Sequence, residues 1–253
     1  MKQNPTRDEI TAIFGATSGI AVAVARRYAV QGRRLILVGR DARGLDAVAA
    51  DLGVRGAADT RILQADLADC EALPSVVATA WGYFGGIDVA LIAYGSMAGQ
   101  QEAERSSATT AAVMTVNFTS PTVLLNALAD RFQAQGRGTI AAITSVAGDR
   151  GRRSNYVYGA GKGGLQRVLE GLRHRLSSAG VAVVDIRPGF VATRMTEHLE
   201  REGPLWASPD RVAADIVAAI AARRAVCYTP RFWRLIMLVV RVMPRFIFHR
   251  TSF

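Results

Sequence analysis

The chain is short of the residues that build covalent or metal-held frameworks. Its 253 residues include two cysteines, Cys70 and Cys227, in no CxxC spacing, and three scattered histidines, His174, His198 and His249. That count and spacing argue against a disulfide scaffold and a structural zinc site, and no metal is expected. Acidic residues are scarce as well, 21 against 31 Lys and Arg, which leaves a formal charge of +10 and a pI near 10.5. Such an excess attracts something anionic, whether nucleic acid, a membrane surface or a phosphorylated substrate, and composition does not choose among them. Only 21% of residues are charged while 50% are hydrophobic, so a disordered chain is excluded for the bulk of the sequence. The first apolar run, Ile10 to Phe14, is too short for a signal peptide, and a cytoplasmic protein is expected.

What is present is an alternation. Apolar runs at Ile10 to Phe14, Arg34 to Val38, Thr60 to Leu63, Val89 to Ala93, Thr139 to Ile143 and Val181 to Ile186 read as strands buried on both faces. Between them, Ile20 to Val30, Ala42 to Leu52, Ala111 to Phe132 and Gly159 to Leu176 carry helical spacing. The βαβ pattern predicts an α/β fold, a doubly wound parallel sheet of the Rossmann type in a single domain. Ser208-Pro209-Asp210 opens a last helix and Ala225 to Tyr228 a last strand. Residues 1–230 form the domain, and 231–253 form a basic amphipathic tail.

After the first strand, Gly15-Ala16-Thr17-Ser18-Gly19-Ile20-Ala21 is a GxxxGxA turn into the first helix. Glycines permit a tight turn there, and free amides at a helix N-terminus suit a pyrophosphate. Two glycines alone equally describe an ordinary strand-to-helix turn. Past the second strand stands Arg40, where an NAD-selective site usually has an acidic residue. Arg40 either meets a 2′-phosphate, which favours NADP(H) over NAD(H), or is a solvated cap beside Asp41.

Tyr158 and Lys162, four residues apart, share a helix face, and a nearby cation lowers a phenol's pKa toward the working range of a general acid. Ser145 follows the fifth strand and Asn117 lies in the long helix before it. Taken together, the glycine loop, Asn117, Ser145, Tyr158, Lys162 and the Arg187-Pro188-Gly189 turn resemble the short-chain dehydrogenase/reductase family over residues 10 to 229. The resemblance implies that Tyr158 protonates the substrate oxygen, Ser145 orients the carbonyl, Lys162 holds the nicotinamide ribose and Asn117 anchors a relay water. It also implies cofactor contacts at Gly15, Thr17, Ser18, Gly19, Ile20, Arg40, Asp66, Leu67, Pro188, Gly189, Val191 and Thr193. Asp66 reads alternatively as a helix N-cap. Two departures are Ala21 for the third loop glycine and Ile92-Ala93-Tyr94-Gly95 for the usual Asn-Asn-Ala-Gly.

Three arginines, Arg150, Arg152 and Arg153, lie between Ser145 and Tyr158 and suggest an anionic substrate, with a solvated basic loop as the alternative. In the tail, Arg231, Arg234, Arg241 and Arg245 fall within about an 80° arc of an ideal helix that is otherwise apolar. The run is too short and too charged to span a bilayer, and it fits a helix lying at the interface; a dimer contact or a lid on the sheet is the competing reading.

Gly148 through Lys162, Arg187 through Leu199 and the tail Phe232 to Phe248 look like the decaprenylphosphoryl-2-keto-pentose reductases. That resemblance implies reduction of a lipid-linked keto-sugar phosphate in an epimerisation shared with a flavin oxidase partner, at the inner face of the cytoplasmic membrane. Arg152, Arg153 and Arg194 are then the phosphate ligands and residues 191–207 a closing substrate loop. It also suggests NADH, against the local charge at Arg40. Two alternatives are a reductase of a soluble or acyl ketone whose tail dimerises, and a non-enzymatic dinucleotide sensor. No nucleic-acid motif is visible, so no nucleic-acid partner is expected. A homo-oligomer pairing Ala111 to Phe132 and Gly159 to Leu176 is expected from the family.

Overall fold

The computed structural model describes residues 9–197 and 203–251. Among these residues, seven parallel strands form one sheet: β1 (Ile10–Phe14), β2 (Arg34–Gly39), β3 (Asp59–Gln64), β4 (Val89–Ile92), β5 (Gly138–Ile143), β6 (Val181–Pro188) and β9 (Val226–Thr229). The order β3-β2-β1-β4-β5-β6-β9 reverses direction between β1 and β4. A crevice opens at the carboxyl ends of the strands at such a reversal.

The continuous apolar runs have a simple cause. On β2, Leu35 and Leu37 face one layer while Ile36 and Val38 face the other, and all four are fully buried. The first layer packs against α1 (Gly19–Val30), α2 (Ala42–Val54) and α8 (Pro209–Ala221). The second packs against α3 (Leu73–Gly82), α6 (Ser120–Gln135) and α7 (Tyr156–Arg175). Alternation along a strand, with helices on both faces, favours apolar residues at every position, and a polar one there needs a buried partner. The outer strand β3 shows the converse, with Asp59 and Arg61 paired at its rim.

The helix expected over Ala111 to Phe132 is not uniform. α4 (Gln100–Arg105) and α5 (Ser107–Met114) lead into a π-helical turn over Thr115–Thr119, and α6 follows. Pro121 supplies the reason: it has no amide proton for the carbonyl of Asn117, four residues earlier, and its ring crowds that carbonyl. The widened turn carries Asn117 into the interior, fully buried. The stretch Ser107–Gln135 is long and apolar enough to cross a membrane by composition. In the fold it lies between α3 and α7 as a layer of the core.

Beyond the sheet, β7 (Phe190–Val191) pairs with β8 (Trp206–Ala207) above the end of β6. Of the segment 191–207 expected to close over substrate, residues 198–202 lie outside the described residues. The tail forms α9 (Trp233–Val242) and, after a break at Pro244, α10 (Arg245–Phe248). Arg231 thus precedes α9 and Arg245 belongs to α10, so the four arginines do not share one helix. The tail is also not a free appendage. Trp233, Met237 and Val240, spaced three and four residues apart, are buried against Val146 and Phe190.

Candidate active site

The nucleotide side of the crevice is built mainly of backbone. Gly15 takes φ +88, and a Cβ there would lie 2.7 Å from the Cβ of Tyr94, so this turn accepts only glycine. The amides of Gly15 and Ala16 are used by the carbonyl of Val38, at 2.8 and 3.1 Å. Ser18 caps α1 by accepting from the amide of Ala21 at 3.3 Å and donates to the carbonyl of Ala93 at 2.9 Å. The amides of Thr17, Gly19 and Ile20 have no protein acceptor among the described residues. Three open donors at the positive end of a 12-residue helix suit the pyrophosphate of a dinucleotide. Thr193 closes over this end, its methyl 3.5 Å from the position a Gly19 Cβ would take.

Arg40 stands exposed just past β2, with no ion-pair partner among the described residues. Asp41 is engaged elsewhere, capping α2 at the amide of Gly44, which separates it from Arg40. Asp66 is exposed and accepts from the amide of Ala68 at 3.0 Å. It therefore closes a turn and does not cap α3, whose first turn begins seven residues later. The carbonyl of Leu67 accepts from the Ser120 hydroxyl. That hydroxyl also bonds Tyr94 Oη at 2.8 Å, so the departure at Tyr94 is tied into the core.

The four residues expected to act on substrate converge past β4 and β5. Asn117 Nδ2 donates to the carbonyls of Ser96, 2.7 Å, and Val113, 2.9 Å. Gly95 marks how near it comes to Lys162: a Cβ there would be 2.8 Å from Asn117 Oδ1 and 3.1 Å from Lys162 Nζ. The Ser145 turn is seated on α7 because Gly159 and Gly163 present bare backbone to it. Cβ atoms at those positions would meet the carbonyls of Ala147 and Gly148 at 2.8 and 2.9 Å. Gln166 Nε2 donates to the Ser145 carbonyl at 2.8 Å and holds the same turn.

The electrostatics differ from the expectation of a phenol tuned by its lysine. Burial pushes Tyr158 up to about 12, opposed by a hydrogen bond from Ser145 and the field of Arg152. Lys162 Nζ is 5.9 Å from the centre of the Tyr158 ring and donates to the carbonyl of Ile143 at 3.1 Å. Burial brings Lys162 down to about 8, with Asp185 opposing. Desolvation therefore outweighs the charge effect at both groups.

Behind these residues lies a network that sequence inspection missed. Arg187 Nε donates to Asp185 Oδ2 at 2.7 Å, and Arg187 Nη1 to Asp149 Oδ1 at 2.8 Å and Tyr228 Oη at 3.1 Å. Tyr228 donates to Asp149 at 2.7 Å, and Thr144 to Asp185 at 2.6 Å. Asp185, Arg187 and the Asp149 side chain are all buried. The burial of Asp185 raises its pKa, against the pull of Arg187 and Thr144. The sequence signal was a charged pair, Asp185 and Arg187, inside an otherwise apolar strand.

The arginines of the 150–153 loop meet three environments. Arg150 turns away to the tail, Arg153 is exposed, and Arg152 is 8% exposed with an Nε that has no partner. Arg194, in the turn after β7, is exposed. Asn155 Oδ1, at the start of α7, is likewise buried without a partner. Past Pro188, Gly189 is covered by Trp233: a Cβ at Gly189 would overlap the indole, and the indole Nε1 is buried without an acceptor.

Comparison with known proteins accords with this geometry. Residues 9–203 match the family described as short chain dehydrogenase. An uncharacterised oxidoreductase of Mycobacterium tuberculosis is 36% identical over 238 residues, covering 94% of this chain and 95% of that protein. A galactitol 2-dehydrogenase (L-tagatose-forming) of Cereibacter sphaeroides is 33% identical over 195 residues, covering 76% and 75%. A solved short chain dehydrogenase/reductase family protein superposes with a TM-score of 0.77 at 26% identity, covering 90% of this chain and 97% of its own. Members of this family use NAD(P)H, and the open amides of the α1 loop suit such a cofactor. The chain belongs to the short chain dehydrogenase/reductase family and is an oxidoreductase.

Proposed function

We propose that the protein reduces a ketone carried by an anionic, lipid-linked sugar phosphate, a polyprenylphosphoryl 2-keto-pentose, with NADPH as the preferred reductant. The observation that carries the anionic substrate is Arg152. A guanidinium buried beside Tyr158 with an unpaired Nε is costly unless a ligand completes it, and phosphate oxygens match its geometry. The relative named galactitol 2-dehydrogenase supports a sugar-type substrate oxidised or reduced at C2. Arg153 and Arg194, both exposed, add charge for the phosphate.

A reduced nicotinamide dinucleotide held at the α1 loop would supply the hydride for reduction of the carbonyl. The open amides of Thr17, Gly19 and Ile20 would hold the pyrophosphate in the turn that Gly15 and Ser18 shape, Arg40 would meet the 2′-phosphate, Asp66 and Leu67 would lie on the adenine side, and Pro188, Gly189, Val191 and Thr193 on the nicotinamide side. The protein's own part is proton supply and orientation. Ser145 hydrogen-bonds the carbonyl oxygen, and Tyr158 gives its proton to that oxygen. A pKa near 12 keeps the phenol protonated at neutral pH, the form needed for reduction. Lys162 holds the ribose, and its charge assists the phenolate left behind. The Asn117 carbonyl, freed of its α-helical donor by Pro121, anchors the water that returns a proton.

The composition of the tail supports a membrane setting for this chemistry. Of the chain's excess of ten positive charges, seven arginines fall after Asp215 with no acidic residue among them. Arginines beside an exposed apolar helix face suit anionic headgroups. A flavin oxidase that forms the keto-sugar is the partner enzyme in this reading.

The test follows NADPH and NADH oxidation with a polyprenylphosphoryl 2-keto-pentose, beside the same keto-sugar phosphate without its lipid, in detergent micelles. Turnover confined to the lipid-linked ketone is expected. Equal turnover of both leaves the anionic ketone and removes the lipid; turnover of neither, with cofactor still bound, overturns the substrate assignment.

A further inference from the structure

Arg150 is drawn away from the cleft although it lies five residues after Ser145. Its guanidinium donates to the carbonyls of Val240 and Met243, the latter at 2.7 Å, and its central carbon is 3.8 Å from the centre of the Phe248 ring. These carbonyls lie at the end of α9, where no further helical amide can reach them and where a cation is favoured by the helix dipole. One side chain thus grips α9 and α10 across the Pro244 break. On the other side the loop is clamped by Asp149, held by Arg187 and Tyr228. Two residues past Arg150 stands Arg152, whose field reaches Tyr158. A second route runs beside it, since Val146, next to Ser145, packs in one cluster with Trp233, Met237 and Val240.

α9 buries one face and leaves the opposite one bare. Leu235, Leu238, Val239 and Val242 are 68%, 57%, 59% and 71% exposed. At 100° per residue they fall together on the side away from Trp233, Met237 and Val240, with Arg234 and Arg241 along one edge. A second copy packed antiparallel on this face would bring the two arginine edges together, and one packed parallel would leave both without a counter-charge, whereas an anionic lipid surface neutralises them and accepts the apolar face.

We infer that Arg150 is a positioning residue: it couples contact of α9 and α10 with an anionic lipid surface to the arrangement of the 149–155 loop, and so to the presentation of Arg152. This rests on the lipid-facing reading of the tail given above. A passive tether needs neither the double carbonyl contact nor the ring contact, and it needs no connection to the residue beside Ser145. The coupling supplies a two-ended element, one end biased by lipid and the other lining the substrate site.

Hydrogen exchange of the full chain read by mass spectrometry tests this without any substrate. The probes are vesicles of phosphatidylglycerol with phosphatidylcholine, and of phosphatidylcholine alone. In the wild type, anionic vesicles should slow exchange in 233–250 and also, by about tenfold, in 146–156, the change that one charged hydrogen bond sustains. Arg150→Gln should bind the same vesicles and protect its tail, yet lose the protection of 146–156. Arg150→Lys, which keeps a cation at the helix end without the two-pronged fork, should recover part of it. NADPH affinity and melting temperature show that each variant is folded. Protection of the tail alone in the wild type, or equal loop protection in Arg150→Gln and wild type, overturns the coupling while leaving the lipid-facing surface intact. Absence of wild-type binding to anionic vesicles overturns that surface, and the inference with it.

Discussion

The two walls of the crevice are built by different means. The cofactor wall is mostly contiguous chain, β1 through α2, and offers backbone amides and a helix end. The substrate wall is assembled from the 145–158 loop, the turn after β6 and a tail that returns some ninety residues later, and offers side chains: Ser145, Arg152, Tyr158. A wall of backbone tolerates side-chain change, provided its glycines remain. A wall of side chains joined across the sequence is sensitive to single substitutions and adaptable in what it accepts. The family relation therefore speaks to the first wall and to Ser145 and Tyr158 on the second, and leaves the loop arginines and the tail to be read residue by residue.

Experiments can sharpen this contrast, beginning where the effect is greatest. Tyr158→Phe removes the proton donor and should lower kcat by about a thousandfold while leaving NADPH affinity unchanged, as followed by steady-state turnover and cofactor titration. Equal loss of cofactor affinity would show that the two walls are not separable.

Next in size is the effect of Lys162 on stability. Its pKa falls from 10.5 to about 8 in the folded chain, so from pH 8 to 10.5 this group binds more protons in the unfolded state and its contribution to stability rises with pH. The full rise is about 3 kcal/mol at about 1.4 kcal/mol per pKa unit. From pH 9 this rise is offset, because burial pushes Cys227 from 9.0 up to about 11 and the folded chain keeps the thiol proton that the unfolded chain loses; above pH 10 the sign reverses, because Tyr28 and Tyr158, both near 12, stay protonated in the folded chain while the unfolded tyrosines ionise. Urea unfolding across pH 7 to 11 should show the rise, and Lys162→Met should lack it.

Arg152→Gln should raise KM for an anionic ketone by about ten- to a hundredfold, the cost of one charged hydrogen bond. Its KM for an uncharged ketone should stay within about twofold, and a paired assay of the two substrates reads the difference. The smallest effect is expected on the backbone-built side: Arg40→Ser should weaken NADPH about tenfold and leave NADH unchanged, since it removes one exposed phosphate contact. Isothermal titration with both cofactors measures it.

The same contrast explains what could be read in the sequence. The strands were legible because burial on both faces makes them uniformly apolar, as at Leu35 to Val38. The α1 turn was legible because it is local. The π turn at Asn117 left a trace in Pro121, four residues on, which periodicity alone passes over. Arg150, Arg152 and Arg153 are indistinguishable in sequence. One binds the tail, one is buried with its Nε unpaired and one is in solvent, and the difference depends on where Val240 and Met243 arrive in space. Tyr158 and Lys162 were placed by their spacing, but the sign of the phenol's shift depends on how deeply α7 is buried, which spacing does not report.

The network of Asp149, Asp185, Arg187 and Tyr228 bears on how this protein can change over generations. A substitution at Asp149 alone removes one of the two carboxylates on Arg187 and the acceptor of the Tyr228 hydroxyl, and one at Arg187 alone leaves two buried carboxylates without their cation. Each single step crosses a fitness valley, while a joint replacement by apolar residues need not. These positions should therefore drift together or not at all, a ratchet on descent in the residues that anchor one end of the loop carrying Arg152 and Arg153.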